Sequence, residues 1–542
     1  MAKRPRSLAD LHVEIIGHIL TYLPIPDIAR CERVSRVFLS TFDTYPLLRF
    51  RVACFLAGVV QGPAARGLPL CPDRTIELER WKSLQRKGLH SENAPTETLP
   101  GISHRIVAGG PAYCELLARR VTVIQPASER TRKQARRWTL PPLEFDPWGL
   151  ACDHSQRLLI FLVPALVARE WSIHVRSSET GKPHPSALNT RYTVERCPPP
   201  ASSNNMQLLI YGPMLVITSQ ISRRGSRGYI VRCCVLDWKS GLSLLDTSSV
   251  SAGGLSVCEQ SVVPLDAEHI IFPIYSHPNS TRTECVAVYN IDRRPRKEGS
   301  LQDAYDDAEL ILELPPIHDQ ATCKSVQIPC APAPLVTSQD DSHAVFLKDP
   351  GASIIAITLS ITAGYDLARR HQTSVTLVIR ADTIWRLLEQ RSASPSPSCP
   401  SSTGGPMVFP WDSWKANAAA LQDLDSVFVS SSRLFVHTSR RAPETGRLAP
   451  LILDSYDFNC CTTVDESQAS VHSGATVKNP YLKEDLVSRL PYRLTSTIMS
   501  APPGEREPYP RYQAHGDDYV VVHSIRAGSV LALLTMSQTY FL

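Results

Sequence analysis

Two heptapeptides decide how this chain is read: Val175-Arg176-Ser177-Ser178-Glu179-Thr180-Gly181 and Val235-Leu236-Asp237-Trp238-Lys239-Ser240-Gly241. Each leaves an apolar run, passes polar positions and ends on a hydroxyl residue and glycine, as at a hairpin turn. Similar short runs lie on both sides, at 158–163, 171–176, 208–211, 214–218 and 229–236. Others follow at 270–275, 285–291, 354–359, 375–379, 434–437, 519–523 and 530–535. They are rich in Val, Ile, Leu and Tyr, have strand lengths, and are separated by Pro, Gly, Ser, Asp and Asn. Proline at 44 of 542 positions favours short strands joined by turns over long helices.

Residues 101–542 are therefore expected to form a large all-β domain. The second heptapeptide resembles the strand–turn element of WD-type propeller blades. Blades run to about 40–45 residues, so this length holds six to eight with insertions. A degenerate β-propeller is expected ahead of a sandwich. Two stretches interrupt the strands: 382–390 has a helical pattern, and 392–406 is Ser/Pro/Gly-rich and reads as a flexible loop. Trp411 and Trp414, just beyond, read as core anchors, because large aromatics dominate cores.

Residues 8–60 have a different pattern. Leu11, Ile15 and Ile19 recur every four residues, with Ile16, Leu20 and Leu23 in an adjacent row, which predicts one helix with a broad apolar face. Pro24 and Pro26 end it. Asp27 stands where an N-cap belongs, before a second helix carrying Ile28, Cys31, Val34 and Phe38. Thr44 and Pro46 open a third, with Leu48, Val52, Phe55 and Val59 on its apolar side. Three short helices cannot bury this much apolar surface alone, so a partner or the rest of the chain must cover it. Periodicity does not separate the inward row from the outward one.

The stretch Leu11-His12-Val13-Glu14-Ile15-Ile16-Gly17-His18-Ile19-Leu20-Thr21-Tyr22-Leu23-Pro24 resembles the opening of an F-box, and Asp27-Ile28-Ala29-Arg30-Cys31-Glu32-Arg33-Val34-Ser35-Arg36-Val37-Phe38 resembles its continuation. Leu11, Glu14, Leu23, Asp27, Ile28, Val34, Ser35, Arg36 and Phe38 fall on the motif; His12 replaces its usual proline. Asp454-Ser455-Tyr456-Asp457-Phe458-Asn459 and Leu490-Pro491-Tyr492, with the helix and the Trp pair, are similar to a large fungal (basidiomycete-type) group of F-box proteins with propeller-like C-terminal halves. The resemblance implies an α+β multidomain chain: a three-helix F-box at 8–60, a helical connector at 61–100 with a helix near 73–86, and the propeller-like domain. It implies a substrate-receptor subunit of a Skp/cullin/F-box ubiquitin ligase. The adaptor-binding residues would be Leu11, Glu14, Ile15, Ile19, Leu23, Pro24, Ile28, Val34 and Phe38. The partners would be a Skp-type adaptor, through it a cullin, and a protein target.

Other features point elsewhere or nowhere. A net charge of +5 is too small to suggest nucleic acid as a partner. The run Arg130, Arg132, Lys133, Arg136 and Arg137 reads as a solvated loop before Trp138, and Arg223, Arg224 and Arg227 as a basic loop. Fifteen cysteines without a Cys-x-x-Cys spacing read as apolar fillers in a reducing compartment. Adjacent Cys233 and Cys234 would point to opposite faces of a strand. No signal peptide or membrane span is legible, so an intracellular site, cytoplasmic or nuclear, is expected, without a membrane partner.

Catalytic patterns are missing. Gly225-Ser226-Arg227-Gly228 lacks the spacing of a nucleophile elbow, and Arg176 stands where a phosphate loop before Gly181-Lys182 needs glycine. The acidic run Asp303, Asp306, Asp307 and Glu309 lacks calcium-loop spacing. No enzyme activity and no cofactor are expected. The competing reading is a scaffold whose helices fold back on the propeller, burying Leu11, Ile15 and Ile19.

Overall fold

The computed structural model describes residues 11–62, 64–65, 73–87, 105–109, 112–117, 119–126, 134–164, 170–194, 206–222, 229–251, 262–274, 284–291, 308–329, 345–363, 372–393, 406–424, 426–430, 432–438, 451–459, 470–472, 474–499, 510–515, 519–524 and 530–535.

Four helices open the chain where the sequence predicts three: α1 Val13–Leu20, α2 Ile25–Val34, α3 Arg36–Thr44 and α4 Pro46–Leu56. The extra boundary is Ser35, whose backbone is extended at φ −149° and ψ 136°. Its hydroxyl oxygen accepts the Val37 N–H at 3.2 Å, so the serine caps α3 instead of continuing α2. Pro26 sits in the first turn of α2, where its missing N–H costs nothing. Asp27 follows in that turn and is not the cap. Pro46 opens α4 as expected, but Val59 leaves the helices and starts a strand, Val59–Gln61. Ile16, Leu20, Ile28 and Leu48 close the core of this module, with Leu23, Phe38, Phe42 and Tyr45 around them.

The remainder is mostly β, in a six-blade propeller arrangement with few helices. Blade one runs from Arg105–Gly109 to Arg136–Thr139, blade two from Gly149–Asp153 to Arg191–Val194, and blade three from Met206–Tyr211 to Ser243–Ser251. Blade four runs from Val263–Pro264 to Leu310–Glu313, blade five from Ala321–Gln327 to Ala418–Gln422, and blade six from Ser426–Ser430 to Tyr492–Met499. Met407–Phe409 adds a parallel strand to the edge of blade four, and Ser470–His472 adds an antiparallel one to blade six. A three-stranded sheet, Pro510–His515, Tyr519–Ser524 and Val530–Thr535, follows; its first strand lies beside Arg105–Gly109 of blade one.

Each blade must cover two faces, which sets the composition of its strands. In Leu158–Pro164, Leu158, Ile160 and Leu162 enter the core shared with blade three, and Leu159 and Phe161 the core shared with blade one. The strand is apolar throughout because both of its faces are buried. Cys233 and Cys234 split in the same way, between the cores toward blade four and blade two. Trp411 and Trp414 pack in the core between blades four and five, and the Trp414 indole donates to the Glu313 carbonyl at 3.1 Å.

The two heptapeptides form matching turns. Gly181 and Gly241 have φ of +70° and +75°, and their N–H groups donate to the carbonyls of Ser177 and Asp237 at 2.8 and 2.7 Å. The Ser177 and Asp237 N–H groups donate back to Lys182 and Leu242. A positive φ is strained for any residue with a Cβ, hence the repeated glycine. Trp238 then plugs the turn: its indole donates to the Gly212 carbonyl at 2.8 Å, and the His184 ring meets it edge-on at 5.0 Å.

Candidate functional site

Helix α1 presents two apolar rows, and packing separates them. Ile16 and Leu20 are 1% and 2% exposed and point into the module. Leu11 and Ile15 are 40% and 51% exposed and point away from it, with Ile19 half-buried between. Gly17 sets the inner approach: a Cβ there would lie 2.8 Å from the Tyr45 ring. Arg51 of α4 holds the end of α1 by donating to the Thr21 carbonyl.

The other motif residues divide between core and surface. Ile28, 1% exposed, is a core residue of the module, so it binds the helices to one another and has no surface to offer an adaptor. Phe38 and Leu23 are half-buried against that core. Glu14 and Pro24 are exposed, and Val34 is 79% exposed at the end of α2. Sequence reading did not single out Tyr22, Val37 and Leu39, which are also exposed. The break at Ser35 turns Val37 and Leu39 outward, and its only sequence signal is a serine two residues before Val37. His12 precedes α1 at φ −64° and ψ 143°, with its ring 3.8 Å from Glu14. That φ lies within the range a proline ring imposes.

The module is joined to the propeller by a β-bridge in addition to the chain. Val59–Gln61 pairs antiparallel with Phe346–Lys348, an excursion between the first two strands of blade five. Phe346 packs with Phe50, Cys54, Ala57, Val59 and Leu78, the last from helix α5, Asp73–Lys87. Burial in this cluster pushes the Cys54 thiol up to about 12, which leaves it an inert filler. Gly58, at φ +63°, accepts the Asp349 N–H at 2.9 Å on its carbonyl.

Other candidates are structural or lie outside the described residues. Glu309 is 3.4 Å from the His269 ring, so it braces blade four. Asp303, Asp306, Asp307, Arg130, Arg132, Lys133, Arg223, Arg224, Arg227 and most of the 392–406 loop lie outside the described residues. Among the described residues no three His, Cys, Asp or Glu side chains are grouped to hold a metal ion, and no helix is long and apolar enough to cross a membrane.

No family model matches the chain, and no curated protein matches it. Solved structures are similar to it. Hydrazine synthase of Kuenenia stuttgartiensis is 9% identical with a TM-score of 0.37, over 82% of this chain and 98% of that one. The β-propeller domain of the Trilobed protease from Pyrococcus furiosus is 8% identical with a TM-score of 0.34, over 80% and 97%. Polysaccharide lyase Uly1 is 8% identical with a TM-score of 0.29, over 74% and 91%. At such identities nothing of their activities carries over to this chain.

Proposed function

We propose that the chain is a substrate-receptor subunit of a Skp/cullin/F-box-type ubiquitin ligase. The helical module docks a Skp-type adaptor and the propeller carries a protein target. Ubiquitin transfer belongs to other subunits, and this chain raises the local concentration of the target's lysines. The observation that carries the reading is the outward Leu11–Ile15 row on a module whose own core is already closed by Ile16, Leu20, Ile28 and Leu48. A cap folded onto the propeller would bury that row. Aliphatic residues free of charge suit an interface core.

The test is co-purification of the full chain with a Skp-type adaptor, comparing wild type with Leu11→Asp/Ile15→Asp. Both side chains are exposed, so thermal unfolding is expected to stay unchanged while the complex is lost. A wild-type chain that folds and captures no adaptor overturns the reading in favour of a scaffold. His12→Pro is the complementary variant. Its backbone already has a proline φ, so it is expected to fold normally and hold the adaptor more tightly.

A further inference from the structure

The core between blades one and two holds two cysteines that face each other. Cys114 stands on strand Ala112–Leu117 of blade one and Cys152 on strand Gly149–Asp153 of blade two. They are 1% and 5% exposed and share one apolar cluster with Val121, Leu150, Leu159 and Phe161. Val107, on the first strand of blade one, ties their positions together. It stands directly opposite Cys114 in the ladder, and its carbonyl accepts the Cys152 thiol at 3.3 Å. Opposed residues of an antiparallel pair have Cα atoms about 4.5–5.5 Å apart, so a sulfur held at Val107 is close to Cys114.

The Cys114 thiol is itself a hydrogen-bonding neighbour of Cys152. This contact, ahead of burial, holds the Cys152 thiol well above the usual range. At Cys54 and Cys323 burial is the leading cause instead. Cys114 and Cys152 are both free thiols in this structure. A disulfide needs its two Cβ vectors turned toward one another, and thiols that already meet satisfy that condition.

We propose that Cys114 and Cys152 are an oxidisable dithiol that closes into a disulfide on reaction with a small disulfide such as oxidised glutathione, locking blade one to blade two. One protein thiolate attacks a sulfur of the small disulfide, which forms a mixed disulfide and releases one thiolate. The second protein thiolate attacks the protein sulfur of that mixed disulfide and releases the other. Two protein thiols lose two electrons and two protons, and the small disulfide is reduced to two thiols. Thiolates are the attacking species, and burial keeps the Cys152 thiol protonated and both sulfurs away from solvent. The exchange therefore proceeds through local openings of the seam between the blades. The same burial shields the bond once the seam recloses. Blade one is where the ring closes, since the last sheet lies beside its first strand, so the bond fastens the blade most in need of it. In a reducing compartment the pair stays a dithiol, and an oxidising shift closes the lock. The site uses nothing from residues 11–60, so its failure and the failure of the adaptor reading are separable.

The experiment incubates the full chain with oxidised glutathione, in buffer and in urea below the unfolding transition, and maps disulfides by non-reducing peptide mass spectrometry. Expected is a Cys114–Cys152 bond, with the loss of two hydrogens, that forms faster in the urea sample. Returned to buffer, the oxidised chain is expected to unfold a few degrees higher than the reduced one, because the bond restricts the unfolded chain. Cys152→Ala removes both the bond and the shift, and a reductant returns the wild type to its starting midpoint. The wild-type map needs no variant, so the proposal stays testable if Cys152→Ala folds poorly. No Cys114–Cys152 bond in either sample, a stable glutathione adduct on either cysteine in its place, or a bond that leaves the midpoint unchanged each overturns the proposal.

Discussion

His269 sits where blade four turns from Val263–Pro264 into His269–Ile274, and its ring faces two carboxylates. Nδ1 is 2.9 Å from both oxygens of Asp266, and Nε2 is 3.4 Å from Glu309. Burial alone would lower its pKa, but the hydrogen bonds to Asp266 and then Glu309 outweigh burial and raise it to about 9. A folded-state pKa above the unfolded value of about 6.5 contributes stability that is complete below that value and is lost as pH rises through about 9. His269→Gln is expected to destabilise the chain by about 1–2 kcal/mol at neutral pH, the low side of the range for charged hydrogen bonds because the carboxylates are partly exposed. Denaturant unfolding checks it: the gap between variant and wild type should close once pH passes that value. A gap independent of pH would mean that packing, and not charge, is what His269 supplies.

Helix α1 and the strand after α4 show where local pattern suffices and where it stops. The four-residue recurrence of Leu11, Ile15 and Ile19 is enough to predict the helix. Assigning the outward row needed the packing of Ile16 against Ile28 and Leu48. Strand Val59–Gln61 left no signal, because three residues are too few for a period and its partner Phe346–Lys348 is nearly 300 positions away. Its anchor is Gly58, where a Cβ would meet Asn459 Nδ2 at 2.6 Å and where φ is +63°. Gly58→Ala therefore carries a backbone cost of about 1–2 kcal/mol in addition to the clash. Limited proteolysis should find faster cleavage between α4 and α5, with the blades cut at the wild-type rate. Unchanged cleavage would mean that the bridge tolerates the added methyl.

The blades pack in sequence order, with a shared apolar core between each neighbouring pair from one to six. The last sheet then returns to the first, placing Pro510–His515 beside Arg105–Gly109. A chain ending after residue 509 is expected to unfold at a lower temperature and to bind an apolar dye, because an open ring exposes the edge of blade one. An unchanged midpoint would show that the six blades hold together without this closure.

The strands, their turn glycines and the helical module were legible in the sequence because period and turn chemistry act over a few residues. Gly181 and Gly241 mark matching turns on their own. Two other features come from contacts between distant residues. These are the place of Ile28 in the module core and the bridge to Phe346–Lys348. No local pattern encodes such contacts: Phe346 meets Phe50, Val59 and Leu78 only because the packed chain brings them together.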